Sequence, residues 1–160
     1  MNILLTGGAG YIGSHTSLSL IEKGHSVTVV DNLVNGSIDL VPKEASFFNA
    51  DISDENKIKN LLKENKFDVV MHFAGLVKVE ESLKNPEKYN LFNFEKAKIF
   101  FDCCLEFGLN KIIFSSTAGV YGKLKKFKKV NENDELKPSN PYASSKYRLE
   151  QHLLNLSKEK

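Results

Sequence analysis

Residues 6–13 read TGGAGYIG. They follow a short apolar run, Asn2–Thr6, and precede a stretch in which Ile12, Leu18 and Ile21 recur at helical spacing before Gly24. That order predicts a strand, a turn stripped of side chains, and a helix. Gly7-x-x-Gly10-x-x-Gly13 is present, and so is the register Gly8-x-Gly10-x-x-Gly13. A bare backbone at the start of a helix lets a pyrophosphate approach amide N–H groups at the positive end of the helix dipole. On its own the pattern is met equally well by a simple glycine-rich turn.

The next strand, Val27–Asp31 (VTVVD), ends on a carboxylate eighteen residues beyond Gly13. A carboxylate there can accept hydrogen bonds from both hydroxyls of an adenosine ribose. It also disfavours a 2′-phosphate, because like charges ~5 Å apart at an effective dielectric near 20 cost roughly 3 kcal/mol per pair. No arginine follows, since Asn32 and Leu33 come next. The expected cofactor is therefore NAD rather than NADP. Asp51-Ile52 ends a further β-like run; the pair reads either as an adenine contact or as an ordinary strand end before a helix cap.

Outward from these stretches, strand-like and helix-like segments alternate. Ser46–Ile52, Asp68–Ala74 and Lys111–Ser116 read as strands three, four and five. A helix capped by Asp54 is expected to about Asn65, a long helix from Asn85-Pro86 to about Phe107, and a last helix from Pro141. Lys123–Ser139 is polar and reads as loop. The alternation predicts an α/β fold, a doubly wound parallel sheet of Rossmann-like type. In such sheets ligands lie at the carboxyl ends of the strands.

The 160 residues suit one dinucleotide-binding domain, and the formal net charge of +2 argues against nucleic acid or an anionic membrane as partner. No stretch approaches membrane-spanning length. The adjacent Cys103 and Cys104 point apart on a helix and read as packed, reduced thiols of a cytoplasmic protein. The four histidines lack metal-ligand spacing, and no metal is expected. The basic run Lys123–Lys129 is followed at once by Glu132, Asp134 and Glu135, which favours a solvated loop.

Tyr142-x-x-x-Lys146 places a phenol and an ammonium one helical turn apart on one face. A free tyrosine ionises near pH 10, at about 10.0 in model peptides. A lysine at ~5 Å favours the phenolate by roughly 3 kcal/mol, which brings a general base toward neutral pH. Ser115-Ser116-Thr117 ends a strand on the expected ligand edge, where a hydroxyl can bond both the phenol and a reacting sugar hydroxyl. Tyr-x-x-x-Lys alone more often marks a solvated helix face, and the hydroxyls alone a satisfied strand end.

TGGAGYIGSH (6–15), VDNLVNGS (30–37), ADI (50–52), HFAG (72–75), FSSTAGVYG (114–122) and NPYASSK (140–146) occur in this order. In these stretches the chain resembles the N-terminal portion of the UDP-glucose 4-epimerase family, within the NAD-dependent epimerase/dehydratases of the extended short-chain dehydrogenase/reductase superfamily. The resemblance implies that Tyr142 takes the proton of the sugar 4-hydroxyl while hydride passes from C4 to NAD and returns to the other face. It implies that Thr117 assists, and that Lys146 tunes the tyrosine and holds the nicotinamide ribose. The cofactor contacts it implies are Gly7, Gly10, Tyr11, Ile12, Gly13, Asp31, Asn32, Leu33, Asn35, Gly36, Asp51, Ile52, Phe73, Ala74, Gly75, Val77 and Lys146. The partners it implies are a UDP-sugar and, left open, a second copy of the chain in a homodimer.

Three departures stand out. Val77 occupies a position where the family often has lysine, with Lys78 one place late. In the long helix Phe92 replaces an asparagine that neighbours the cofactor, and Lys96 replaces a glycine; if that face is buried, the lysine costs more than helix propensity. Family members also continue well past the Tyr-x-x-x-Lys helix, so the chain is expected to be truncated before the C-terminal substrate domain, with an incomplete sugar pocket and poor turnover alone. Two rival readings remain. A related dehydratase or uronate epimerase is one, although Ala118-Gly119 stand where a dehydratase carries an acidic pair. A non-catalytic NAD-binding module is the other.

Overall fold

The computed structural model describes residues 1–123 and 129–158. Five strands form one sheet: β1 (Asn2–Thr6), β2 (Ser26–Asp31), β3 (Ser46–Asn49), β4 (Val69–His72) and β5 (Ile112–Phe114). Every pairing is parallel, in the order β3-β2-β1-β4-β5. The chain winds outward from β1 and then returns to β4 on the other side of β1. The reversal falls between β1 and β4, the place where doubly wound sheets open a crevice.

The chain divides into two compact units, one of residues 1–75 with 99–115 and one of residues 76–98 with 116 onward. The first contains the sheet, with α1 (Tyr11–Glu22) between β1 and β2 and α2 (Glu55–Glu64) between β3 and β4. Ile3, Leu5, Val27, Val29 and Val69 form its buried cluster, with Leu20, Ile21, Phe47 and Met71 packed on it. β-Branched and leucyl residues buried from both faces read as near-continuous apolar runs, which is why these strands were legible. The Asp54 carboxylate accepts from Lys57 N–H at 3.1 Å and starts α2 where expected.

The second unit is helical: α3 (Val79–Lys84), α4 (Pro86–Asn90), a π-turn at Leu91–Glu95, and α6 (Pro141–Lys158). α5 (Lys96–Glu106) carries the chain on from the π-turn. α6 packs against α3, α4, the π-turn and a 3-10 turn at Ala118–Tyr121. Asn140 starts α6, its Oδ1 accepting from Ala143 N–H at 2.8 Å.

Several expectations are corrected. The third strand stops at Asn49, not Ile52, because the Asp51 carboxylate accepts from both Ser53 N–H (3.0 Å) and Ser53 Oγ–H (2.7 Å) and bends the chain. The fourth and fifth strands are shorter than Asp68–Ala74 and Lys111–Ser116, ending at His72 and Phe114. The single long helix from Pro86 is interrupted by the π-turn, where Asn93 turns inward and is 1% exposed. Helix α3 was not expected; its short VEESLK run shows too little periodicity to declare itself. Among the described residues of 123–139 there is neither helix nor strand, and most of the basic run, residues 124–128, lies outside the described residues.

Candidate functional site

The glycine loop sits directly after β1. Gly7 has φ +76°, and a Cβ there would lie 2.5 Å from Ala74 N, so loop backbone lies flush on the exit of β4. A Cβ at Gly13 would fall 2.2 Å from Gly7 O, which presses the first turn of α1 onto the loop. Gly10 differs. Its φ of −89° suits any residue, and an added Cβ would meet only Gly7 O, at 3.3 Å. Conformation does not demand glycine there, and crowding within the chain presses far less than at Gly7 or Gly13, although the contact with Gly7 O is tight.

Gly10 is also the N-cap of α1 and offers no side-chain cap to the first-turn amides. Its own N–H donates to Gly7 O at 3.1 Å, and its C=O accepts from Ser14 N–H at 2.9 Å. Tyr11 and Ile12, the first residues of the helix, are 77% and 58% exposed. A bare, dipole-bearing helix start flanked by exposed apolar side chains has the chemistry to cradle an anion carrying a flat organic group.

Asp31 closes the cradle from β2. Its Oδ2 accepts from Ala9 N–H (3.1 Å) and its Oδ1 from Leu33 N–H (2.8 Å). Each oxygen keeps a further lone pair for a diol. Leu33 adopts φ +59°, a left-handed conformation that a leucine holds only under constraint. The Asp31 bond to its amide and the Asn32 Oδ1 bond to Val34 N–H (3.1 Å) supply that constraint. The loop then folds back on Ala9: Ser37 N–H donates to Ala9 O at 3.0 Å, and a Cβ at Gly36 would lie 2.7 Å from Ala9 Cβ. Asn35 is exposed. Asn32 Nδ2 donates to Asp51 Oδ2 at 3.1 Å, which joins the ends of β2 and β3. Ile52 is 9% exposed, so it belongs mostly to the core. Phe73 and Ala74 follow β4 directly and are half-buried, and Gly75 is exposed with φ +153°.

The remaining site residues belong to the second unit. Thr117 Oγ accepts from Gly119 N–H at 3.1 Å and caps the 3-10 turn, which leaves the hydroxyl proton for another acceptor. Ser116 is committed elsewhere, donating to Glu150 Oε2 at 2.8 Å. Tyr142 lies in the first turn of α6, its ring edge-on to buried Tyr89 with centroids 6.3 Å apart. Lys146 lies one turn on and is 4% exposed; burial pulls its ammonium from 10.5 down to about 8. Val77 is 65% exposed.

Asn93 is a positioning residue that spacing did not single out. Its Oδ1 accepts from Leu76 N–H (2.7 Å), and its Nδ2 donates to Leu76 O (2.9 Å) and Ser145 Oγ (3.2 Å). Ser145 Oγ in turn donates to Tyr142 O at 2.7 Å. One amide thus holds the segment after Gly75 to the turn of α6 that bears Tyr142 and Lys146. A mid-helix asparagine beside two phenylalanines gives no sequence signal for this; only the π-turn turns it inward. The Phe92 and Lys96 departures meet each other, with Lys96 Nζ 4.4 Å from the centre of the Phe92 ring. Lys96 is half-exposed, so the expected burial cost does not arise.

A parallel sheet that reverses winding at a glycine loop, with a carboxylate ending its second strand, defines the Rossmann-like class of α/β proteins. Within that class, residues 3–160 match the NAD dependent epimerase/dehydratase family, and the chain belongs to it. It is 39% identical over 163 residues to the UDP-glucose 4-epimerase of Bacillus subtilis, with 98% of this chain and 48% of that protein covered. It is similar to the solved UDP-glucose 4-epimerase of Thermus thermophilus in complex with NAD, at 32% identity and a TM-score of 0.95 over 99% of this chain and 51% of that one. The UDP-Glc/GlcNAc 4-epimerase of Campylobacter jejuni superposes with a TM-score of 0.94 at 40% identity, over 99% of this chain and 50% of that one. The chain spans about half the length of the curated relatives it matches. Among the described residues no helix is long and apolar enough to cross a membrane.

Proposed function

We propose that residues 1–160 serve as the NAD-binding part of a UDP-glucose 4-epimerase that interconverts UDP-glucose and UDP-galactose in the cytoplasm. One observation carries the reading: at Gly10 the chain keeps a glycine that its own conformation does not require and its packing presses only lightly, at the mouth of an uncapped helix. A side chain there would fill the space a diphosphate needs. Gly7, Gly10, Tyr11, Ile12 and Gly13 would hold the diphosphate, and Asp31 the adenosine ribose, with Asn32, Leu33, Asn35, Gly36, Asp51 and Ile52 around the adenosine. Phe73, Ala74, Gly75 and Val77 would line the rest of the cofactor. Free, buried Cys103 and Cys104 accord with a reducing compartment.

NAD, when bound, supplies an acceptor for the hydride of sugar C4 and returns it, so the cofactor is unchanged over a cycle. Tyr142 takes the proton of the 4-hydroxyl and later gives it back to the 4-keto sugar. Lys146, still mostly protonated at neutral pH, favours the phenolate. Thr117 directs its remaining hydroxyl proton toward the reacting oxygen. General base catalysis of this kind is worth about 10²–10⁴-fold. Measured in a chimera of residues 1–160 with the remaining half of a curated relative, conversion of UDP-galactose to UDP-glucose should therefore fall by at least about a hundredfold in Tyr142→Phe. Equal, measurable rates for the two chimeras would remove Tyr142 from this role.

A further inference from the structure

Two polar side chains face each other where β1 and β4 end. Thr6 and His72 are register partners, 0% and 1% exposed, and Thr6 Oγ lies 2.7 Å from His72 Nδ1. The imidazole is walled by aromatic rings, with centroids at 5.1 Å to Phe101 and 5.9 Å to both Phe100 and Phe114. Burying two polar groups here is costly unless they bond each other, and an apolar pair of similar volume would fill the core without that constraint. The packing alone does not account for them.

Their neighbours do. Thr6 binds both amides that leave β4: its C=O accepts from Phe73 N–H at 3.0 Å, and its Oγ accepts from Ala74 N–H at 3.5 Å, the outer limit for such a bond. Thr6 Oγ and His72 Nδ1 share one bond whose donor the tautomer of the ring decides, and the hydroxyl oxygen has lone pairs enough to accept from Ala74 N–H in either case. The peptide between Phe73 and Ala74 is the surface on which Gly7 rests, since a Cβ at Gly7 would lie 2.7 Å from Phe73 C and 2.5 Å from Ala74 N. Gly7 O then accepts from Gly10 N–H, and Gly10 O from Ser14 N–H in α1. A continuous series of bonds and contacts runs from the imidazole to the first-turn amides.

We propose that Thr6 and His72 are positioning residues which set the height of the glycine loop over β4, and through it the affinity of the cradle for a diphosphate. The proposal rests on the dinucleotide reading above. His72 acts through Thr6, and Thr6 through the peptide beneath Gly7. Neither touches the ligand.

The test compares ligands with and without the diphosphate. NAD and ADP-ribose affinities would be measured by calorimetry, and adenosine by ligand-observed NMR, for the wild-type chain, Thr6→Val, Thr6→Ser, His72→Leu and His72→Asn. Thr6→Val and His72→Leu should weaken NAD and ADP-ribose about tenfold or more and leave adenosine within about twofold. Thr6→Ser should restore wild-type affinity to within about threefold. Wild-type diphosphate affinity in Thr6→Val, or equal losses for all three ligands, would overturn the proposal. Should Thr6→Val or His72→Leu fail to fold, Thr6→Ser and His72→Asn decide it. Both should fold, with His72→Asn weaker for ADP-ribose but not adenosine; unchanged ADP-ribose binding by His72→Asn would overturn it. A wild-type chain that binds no NAD would end the dinucleotide reading and this proposal together, whereas wild-type binding with indifferent variants ends this proposal alone.

Discussion

Three single residues make distinct predictions. Two loop amides hold the Asp31 carboxylate, so on the proposed reading its charge is fixed beside the ribose 2′ position. Asp31→Asn should narrow the preference for NAD over NADP by roughly a hundredfold, the equivalent of one like-charge pair; calorimetric titration with both dinucleotides checks this. Lys146 ionises near 8 in the fold and near 10.5 when unfolded. The unfolded chain therefore binds more protons across that window, and stability contributed by Lys146 rises with pH between about 8 and 10.5. Relative to Lys146→Met, the wild type should gain roughly 3 kcal/mol over that range in urea denaturation, at about 1.4 kcal/mol per pH unit. Lys96 covers the Phe92 ring from a half-exposed helical position. Lys96→Gly, although it restores the residue usual in the family, should therefore lower stability by about 1–2 kcal/mol through lost helix propensity and the cation–π contact. Thermal unfolding would show the sign.

At the scale of elements, what could be read from sequence was what periodicity and punctuation encode. β1, β2, α1, α2 and α6 were legible because apolar runs, an Asp cap and glycine stops each act within a few residues. Asp54 does cap its helix, as expected, and Asn140, not read as a cap from the sequence, caps α6 just before Pro141. Strand ends were overrun because pairing, not propensity, decides them: Asp51 turns the chain two residues before Ser53, and nothing in SFFNADI says where pairing stops. The π-turn at Leu91–Glu95 was illegible for a related reason. It depends on Asn93 reaching Leu76 and Ser145, residues far away in sequence. Asn93→Leu should destabilise the second unit by about 2–4 kcal/mol, since Leu76 N–H, Leu76 O and Ser145 Oγ lose a buried partner together. Local loss of amide protection around Leu76 and the first turns of α6 would confirm it in hydrogen exchange. The candidate site was legible at the cradle, where glycines and an acid stand in sequence order. It was only half legible at Tyr142 and Lys146, where spacing shows a shared face but not that Lys146 is buried.

For the whole molecule, the two units divide the candidate chemistry. Glycine loop, Asp31 and the sheet reversal lie in one; Thr117, Tyr142 and Lys146 lie in the other. The proposal for the first is that the helix start at Gly10 is left open for a diphosphate, and that this is why glycine stands there. Calorimetric titration of NAD into the wild-type chain and into Gly10→Arg tests this, with circular dichroism of the variant as the check on folding, since a Cβ at position 10 would lie within 4 Å of one atom alone, Gly7 O at 3.3 Å. Saturable NAD binding is expected of the wild type, and none measurable of a folded Gly10→Arg. Equal NAD affinity in the two proteins, or no binding by the wild type, would contradict the proposal.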